Sequence, residues 1–432
     1  MASLTLLQWI LGALLLQVAA FMGLAFGRHW QAYAALRAAA AKGQFELPSP
    51  SDTAAANPAA AAWAGYRPFR VRAKTLEDAD GQVCSFELVP EDGQPLAPFL
   101  PGQFLTFRLD LPSTQGSTSA VVRCYSLSDA PQTESYRVSI KRAPTGTGVT
   151  GVNRHASHYF HDDVKGGSLL QVRAPSGHFY LDRGQGPVVL IAGGIGITPM
   201  LSMINWVVQQ QPAREIWLFY GVRQAAELVM LPQLQALAAK HPNFHLHLCF
   251  SGPPPTAEPR EPRERATLVH HHRGRIDLRL LRSVLPLKPY HFYLCGPTAL
   301  LVSLVPALEG WGVVDERIHF EAFGPASIPR RQAALRTPGL AADSPVAGPL
   351  AVTFASSGKT CTWRPGLSSL LDLAEANGID VASGCRSGSC GSCQTTIRAG
   401  QVQYAHAPDH TPEPGTCLLC VSTPASAVTL EA

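Results

Sequence analysis

The stretch "PVVLIAGGIGITPM", residues 187–200, divides the chain into two kinds of pattern. Its first half is a continuous apolar run ending in glycines, the mark of a strand buried on both faces. "PMLSMINWVVQQQ" then takes up helical spacing. Gly193, Gly194 and Gly196 fall between strand and helix, followed by Thr198 and Pro199. A loop so placed can receive a dinucleotide pyrophosphate at the helix N-terminus, although it is not Gly-x-Gly-x-x-Gly. Downstream, "EIWLFYG", "FHLHLCF" and "HFYLCGP" alternate with helical segments such as "LPQLQALAAKH". That alternation predicts a parallel sheet. Arg223 and the turn Cys295-Gly296-Pro297 fall at the carboxyl ends of strands, the edge where open α/β sheets bind ligands. The proline-rich stretch 252–275 reads as a solvated loop, and its triple histidine as part of that loop rather than as a metal site.

Upstream the pattern differs. "QFLTFRLDL" and "SYRVSIKRA" alternate with period two and predict an antiparallel barrel. On one of its strands lies "RCYSLSDAP", residues 123–131. A flavin needs a guanidinium for phosphate, a ring against the isoalloxazine and a small donor near N5. Arg123, Tyr125 and Ser126 supply these types. Strand alternation sends Arg123 and Tyr125 to one face and Ser126 to the other. Ser157, in "RHASHYFHDDV", is placed to cap a helix whose free amides would face a phosphate. Cys124 and Cys361 read as small core residues.

The third signal is "SGCRSGSCGSCQTT", residues 383–396. Cys385, Cys390 and Cys393 carry the C-x4-C-x2-C spacing of a plant-type 2Fe-2S cluster, whose fourth cysteine lies farther along the chain. Gly384, Gly388 and Gly391 let a loop fold closely and turn its backbone N–H groups toward sulfur. A zinc knuckle would show paired C-x2-C units, and only one is present. "GTCLLCVSTP" offers both Cys417 and Cys420 as the fourth ligand.

Composition sets the frame. A chain of 432 residues exceeds one core, and a net charge of +4 is too small to argue for nucleic acid. Ten cysteines in such a chain are no disulfide framework, and their clustering near the carboxyl end reads as ligation. From Leu4 to Phe26 no residue is charged; a helix there would rise roughly 34 Å, enough for a hydrocarbon core of about 30 Å. Arg28, His29, Arg37 and Lys42 follow it. By the positive-inside rule the bulk of the chain is expected in the cytoplasm. A cleaved leader is the competing reading, and "MAS" lacks the cation a signal peptide carries. The expected organisation is a transmembrane helix over 1–27, a linker over 28–65, a flavin-binding barrel over 66–184 and an NAD(P)-binding domain over 185–327. A second linker, 328–348, leads to a ferredoxin domain over 349–432.

Residues 66–327 resemble the ferredoxin–NADP reductase superfamily. With the terminal segment, which resembles the plant-type ferredoxins and their β-grasp fold, the chain looks like the reductases of oxygenases and of hybrid-cluster protein. The resemblance implies that Arg123, Tyr125 and Ser126 contact flavin. It implies that the Gly193–Pro199 loop and Cys295-Gly296-Pro297 contact NAD(P)H, with Cys295 near the nicotinamide. It makes Cys420, followed by "VSTP", the fourth cluster ligand. "FEAFGP" resembles flavohaemoglobin reductase domains in which a Glu and a Phe lie by the flavin, here Glu321 and Phe323, and tilts the cofactor to FAD over FMN. Two features depart from the family: Gly166-Gly167 where Gly-Asp is common, and the long 252–275 insertion.

The expected protein is a multidomain, single-pass membrane reductase on the cytoplasmic side. It passes electrons from NADH or NADPH through FAD and a 2Fe-2S cluster to an oxygenase, desaturase or other redox partner. Ser126, Cys295 and Phe323 are its catalytic candidates. The alternative is a membrane-tethered redox sensor that binds flavin and nucleotide without high turnover.

Overall fold

The computed structural model describes residues 63, 65–112, 118–144, 156–252, 269–323 and 350–432, apart from 365, 366, 368, 380, 387, 389, 405–407 and 409. The expected anchor at 1–27 and the linker at 328–348 lie outside these residues. Among the described residues no helix is long and apolar enough to cross a membrane.

Period-two alternation produces the first sheet. Strands β1 (Arg67–Leu76), β2 (Val83–Pro90), β3 (Phe104–Pro112), β4 (Thr118–Ser126), β5 (Tyr136–Lys141) and β6 (Leu169–Ser176) pair antiparallel in the order β4-β3-β6-β1-β2-β5. A bridge between Leu127 and Val138 joins the two outer strands, so the sheet closes as a barrel. Phe69, Phe86, Leu88, Phe107 and Val138 fill its interior. Helix α1 (Ala156–Asp162) packs on this core: Phe160 lies edge-on to Phe86, Phe107 and Tyr125. The Lys74 ammonium donates to the carbonyls of Phe160 and Val164 at the far end of α1, where a helix leaves acceptors unpaired. Trp63, in the expected linker, packs against the barrel and donates from Nε1 to the Val172 carbonyl at 3.1 Å.

The apolar strands downstream build the parallel sheet. Strands β7 (Val188–Gly193), β8 (Ile216–Val222), β9 (Phe244–Phe250), β10 (Val269–Arg273), β11 (His291–Gly296) and β12 (Ile318–Ala322) lie in the order β10-β9-β8-β7-β11-β12. Helices α2 (Ile197–Gln210) and α3 (Leu231–Lys240) cover one face, and α4 (Leu278–Val284) and α5 (Thr298–Gly310) the other. Every residue of β7 is buried. The strand order reverses between β7 and β11, which opens a crevice at their carboxyl ends.

One expectation is corrected here. The triple histidine is not loop: His270, His271 and His272 lie in β10, paired in parallel with β9. β10 is an edge strand whose side chains are half-buried or exposed. Its backbone ladder to β9 fixes it, so it left no apolar signature to read. His272 Nε2 and His247 Nδ1 are 2.8 Å apart.

The last segment forms β13 (Leu350–Phe354), β14 (Lys359–Trp363), helix α6 (Leu370–Ala376), β15 (Gln394–Ala399), β16 (Val402–Tyr404), β17 (Thr416–Leu418), β18 (Ser422–Pro424) and β19 (Val428–Leu430). Its mixed sheet has the order β14-β13-β19-β15-β17, with β16 and β18 paired apart. Ser369 caps α6 by accepting from Asp372 N at 3.1 Å, and Leu370, Leu371, Leu373 and Ala374 bury the helix.

The barrel and the parallel sheet are joined by polar contacts. Asp129, after β4, accepts from Asn205 Nδ2 at 2.7 Å through its carboxylate and from Ser202 Oγ at 2.7 Å through its carbonyl. Arg214 has no solvent-exposed side chain; it donates to Asp182 Oδ2 at 2.9 Å and to the carbonyls of Asp182 and Gly186. Asp182 also accepts from the Tyr293 hydroxyl at 3.0 Å. Removing the guanidinium takes the donor from the carbonyls of Asp182 and Gly186 and the ion-pair partner from the Asp182 carboxylate, and leaves a void. Arg214→Ala is expected to cost roughly 3 kcal/mol, the low end for a broken buried pair, because Asp182 keeps a third of its side chain in solvent. Urea unfolding, read as a lower midpoint at unchanged slope, checks this.

Candidate functional site

A cavity of about 700 Å³ lies where the three sheets meet. Strand β4 lines it with Arg123, Cys124, Tyr125 and Ser126. The glycine loop contributes Ile195 and Thr198, the end of β12 contributes Glu321 with Phe323 beyond, and the cysteine loop contributes Gly384, Cys385 and Arg386.

Pairing with β3 sets Arg123 opposite Phe107, Tyr125 opposite Leu105 and Ser126 opposite Phe104. The Tyr125 ring packs edge-on against Phe107 and Phe160, at 5.7 and 5.2 Å, and burial pushes its phenol above the usual range. Arg123 donates to the Val122 carbonyl at 2.8 Å. Ser126 donates from Oγ to Glu321 Oε2 at 3.4 Å. Burial raises the Glu321 carboxyl to about 8, the nearby Cys385 adds to this, and the Ser126 hydrogen bond opposes it. Phe323 remains exposed.

Ser157 departs from its expected role. It is the second residue of α1, not its cap, and its hydroxyl accepts from Ala143 N at 3.0 Å. It still lines the cavity. A Ser followed by a helical pattern suits both positions, and the sequence could not separate them.

At the carboxyl edge of the parallel sheet, two backbones meet without side chains between them. A Cβ on Gly196 would lie 2.2 Å from the Cys295 carbonyl oxygen, and one on Gly193 would lie 2.7 Å from Pro297 Cδ. Gly296 has φ +154° and sits against Gly193, where a Cβ would lie 2.9 Å from its backbone. Gly194 takes φ +53°, which admits glycine readily. Thr198 donates to the Ile195 carbonyl at 3.1 Å, and Pro199 is buried in the first turn of α2. Cys295 is fully buried, and burial pushes its thiol up. Arg223, after β8, is exposed and paired with Glu227 at 3.2 Å.

The cysteine loop brings its sulfurs together. Cys385 N donates to Cys390 Sγ at 3.3 Å, and Cys390 N donates to Cys385 Sγ at 3.2 Å. The Cys420 thiol is within hydrogen-bond reach of Cys385 and Cys393. Cys417 instead lies fully buried in the domain core, where burial pushes its thiol to about 11. Among the described residues no group of three or more His, Cys, Asp or Glu is spaced for a single metal ion. Cys385 thus lies between Cys390 and Cys420, with Cys393 beside Cys420, so the four thiols face one another. Glycine makes the cradle: a Cβ on Gly384 would lie 3.0 Å from Cys390 Sγ, and one on Gly391 would lie 2.6 Å from His410 Nε2. The residues present fit a 2Fe-2S cluster.

Several residues of the site escaped the sequence reading. Arg386, at φ +56°, donates to Glu375 Oε2 at 2.9 Å on the cavity wall. Arg173 in β6 donates from Nη1 to the Cys390 carbonyl and lies over the Tyr66 ring at 5.3 Å. Cys124, read as a core residue, is half-buried beside Cys385 and Cys390. The Arg173 and Cys124 contacts cross domains, and no local pattern encodes them.

Residues 190–304 match the oxidoreductase NAD-binding domain, and residues 352–425 match the 2Fe-2S iron-sulfur cluster binding domain. The FAD/NAD-binding domain of a nitric oxide dioxygenase from Vibrio cholerae is 32% identical, with a TM-score of 0.50, over 60% of this chain and 100% of that one. The chain belongs to the ferredoxin-reductase type of FAD/NAD-binding oxidoreductases. The reductase is also 34% identical over 273 residues to a flavohemoprotein of Halalkalibacterium halodurans, covering 63% of each. It thus spans about three-fifths of the length of the curated relatives it matches. A type IV self-sufficient cytochrome P450 monooxygenase shares the fold over 85% of the reductase and 41% of its own chain, at 22% identity and a TM-score of 0.51. The cofactors of the reductase are FAD, a nicotinamide dinucleotide and a 2Fe-2S cluster.

Glu321 makes the site sensitive to pH. Its carboxyl titrates higher in the folded chain, near 8, than in the unfolded chain, near 4.5. The folded state therefore binds the extra proton between those values, and stability falls as pH rises through that window. Flavin-free reductase is expected to lose melting temperature from pH 5 to pH 8. Glu321→Gln is expected to flatten that slope in a thermal scan at each pH.

Proposed function

We propose that the reductase moves electrons from NADH through FAD to its 2Fe-2S cluster, and from there to a protein acceptor such as an oxygenase or desaturase. The observation that carries this reading is the shared cavity: the Arg123–Ser126 strand and the Gly384–Arg386 loop line one space. Bound there, FAD supplies the conversion of a hydride from nicotinamide into single electrons that a cluster can take.

The chain's own residues bind and orient. Arg123 gives charge to the flavin phosphates, Tyr125 gives a ring edge fixed by Phe107 and Phe160, and Ser126 gives a hydroxyl held by Glu321. Phe323, exposed at the cavity, would lie beside the bound flavin. The bare backbones of Gly193, Gly196 and Gly296 leave room for the dinucleotide at the N-terminus of α2, with Thr198 and Pro199 shaping its first turn. Cys295 and Pro297 hold the crevice wall on the nicotinamide side. Glu227, beside Arg223, favours NADH: a carboxylate there accepts from a ribose 2′-hydroxyl and repels a 2′-phosphate. Cys385, Cys390, Cys393 and Cys420 hold the cluster. Residues 1–27 tether the reductase to the cytoplasmic face of a membrane, which places its acceptor there too.

Anaerobic NADH is expected to bleach the flavin of the loaded protein and then the cluster absorbance. Slow turnover with ferricyanide despite full loading would favour the tethered sensor, and no nucleotide oxidation at all would defeat the electron-transfer reading. Cys420→Ser is expected to lose the cluster while keeping flavin, and Cys417→Ser to keep both. Iron and acid-labile sulfide assays, beside the flavin spectrum, decide which cysteine is the ligand.

A further inference from the structure

The cysteine loop rests on a row of three side chains presented by the barrel. β3 pairs Thr106 with Cys124 of β4 on one side and with Arg173 of β6 on the other. The three therefore stand abreast on adjacent strands. Arg173 donates to the Cys390 carbonyl, which fixes one end of the loop. At the other end Gly384 lies against β4, where a Cβ would be 3.2 Å from Val122 Cγ1, so no larger residue fits between loop and strand. Between these anchors Cys124 lines the same cavity as Gly384, Cys385 and Ser392, and burial, with Cys385 and Cys390 beside it, pushes its thiol up. On its other side Cys124 Sγ is 3.3 Å from Oγ1 of the fully buried Thr106. Either group can donate across that contact; a Thr106 hydroxyl donating there would leave the S–H of Cys124 for the loop.

We infer that Cys124 is a positioning residue for the cluster: from the flavin-side strand it donates an S–H hydrogen bond to a ligand sulfur of Cys385 or Cys390, and so raises the cluster's reduction potential. The inference rests on the assignment of Cys385, Cys390, Cys393 and Cys420 as ligands. A reduced cluster carries one more negative charge than an oxidised one. A donor aimed at its sulfur stabilises the reduced form more, and this is a known lever on iron–sulfur potentials. Cys124 applies that lever from the strand whose neighbouring residues, Arg123, Tyr125 and Ser126, face the flavin space. The electron acceptor inside the chain is thereby tuned by the wall of its donor's site.

The test is a redox titration of the full chain, loaded with flavin and cluster, followed by the EPR signal of the reduced cluster. Cys124→Val keeps the approximate shape and removes the donor; Cys124→Ser keeps a donor. The valine variant is expected to show a roughly threefold lower ratio of reduced to oxidised cluster at a fixed poise, about 30 mV for a one-electron couple. The serine variant is expected to stay near the wild-type midpoint. If valine blocks cluster loading, Cys124→Ala makes the same comparison with less bulk. An unmoved midpoint in the donor-less variant overturns the inference, and so does an equal shift in the valine and serine variants, which would indicate packing alone. A wild-type protein with no cluster signal overturns the ligand assignment, and this inference with it.

Discussion

The contact between a loop of the last domain and a strand of the first governs what this chain can do. A two-electron donor and a one-electron acceptor must lie close together if current is to pass, yet the residues proposed to bind them are separated by some 260 positions, from Arg123 to Cys385. The fold brings them together by laying Gly384 on Val122 and pinning the Cys390 carbonyl with Arg173. Glycine at position 384 is what permits the approach, since a side chain there would strike Val122, Ser392 and Cys390 at once. Such a contact has an entropic cost, because domains joined by linkers tend to move independently. The hydrogen bond from Arg173 to the Cys390 carbonyl offsets part of it.

The parallel sheet meets the barrel by a different means. Asp129 accepts from both Asn205 and Ser202, and the buried Arg214 collects acceptors from Asp182 and Gly186. Directional polar bonds fix the angle between two bodies more tightly than apolar packing does, since a small rotation breaks them. That angle determines whether the crevice between β7 and β11 opens onto the same space as Ser126. Glu321 shows how closely the parts are joined. It lies on a strand of the parallel sheet, accepts from a barrel serine and feels the charge of a cysteine in the ferredoxin domain. A carboxyl so placed is half-buried among all three domains, and its raised titration follows from that desolvation.

Much of the fold was legible in the chain. Unbroken apolar runs such as "VVLIAG" mark strands buried on both faces, and β7 is buried throughout. Alternation in "FLTFRLDLP" marks a barrel strand, and β3 alternates in that rhythm from Phe107 to Pro112, while Phe104, Leu105 and Thr106 are all buried. The edge strand β10 was missed for the complementary reason. "VHHHR" buries almost nothing, and its conformation comes from the ladder to β9 rather than from its own side chains. The Ser157 cap was misread because a serine one residue inside a helix and a serine at its cap look alike in one dimension.

By itself the sequence determined the cofactor chemistry: which sulfurs stand at cluster spacing, where glycines clear room for a dinucleotide, and which strand offers a cation, a ring and a hydroxyl. These signals are local because each depends on a few neighbouring residues held by one turn or strand. The resemblance favoured Cys420 over Cys417, and the tertiary structure adds what no spacing could: Cys420 stands beside Cys385 and Cys393 while Cys417 is wholly buried. Tertiary structure alone took Cys124 from an ordinary core position to the side of the cysteine loop. Both outcomes depend on where distant strands meet, and hydrogen bonding and packing between domains carry that information across a span that no sequence window covers.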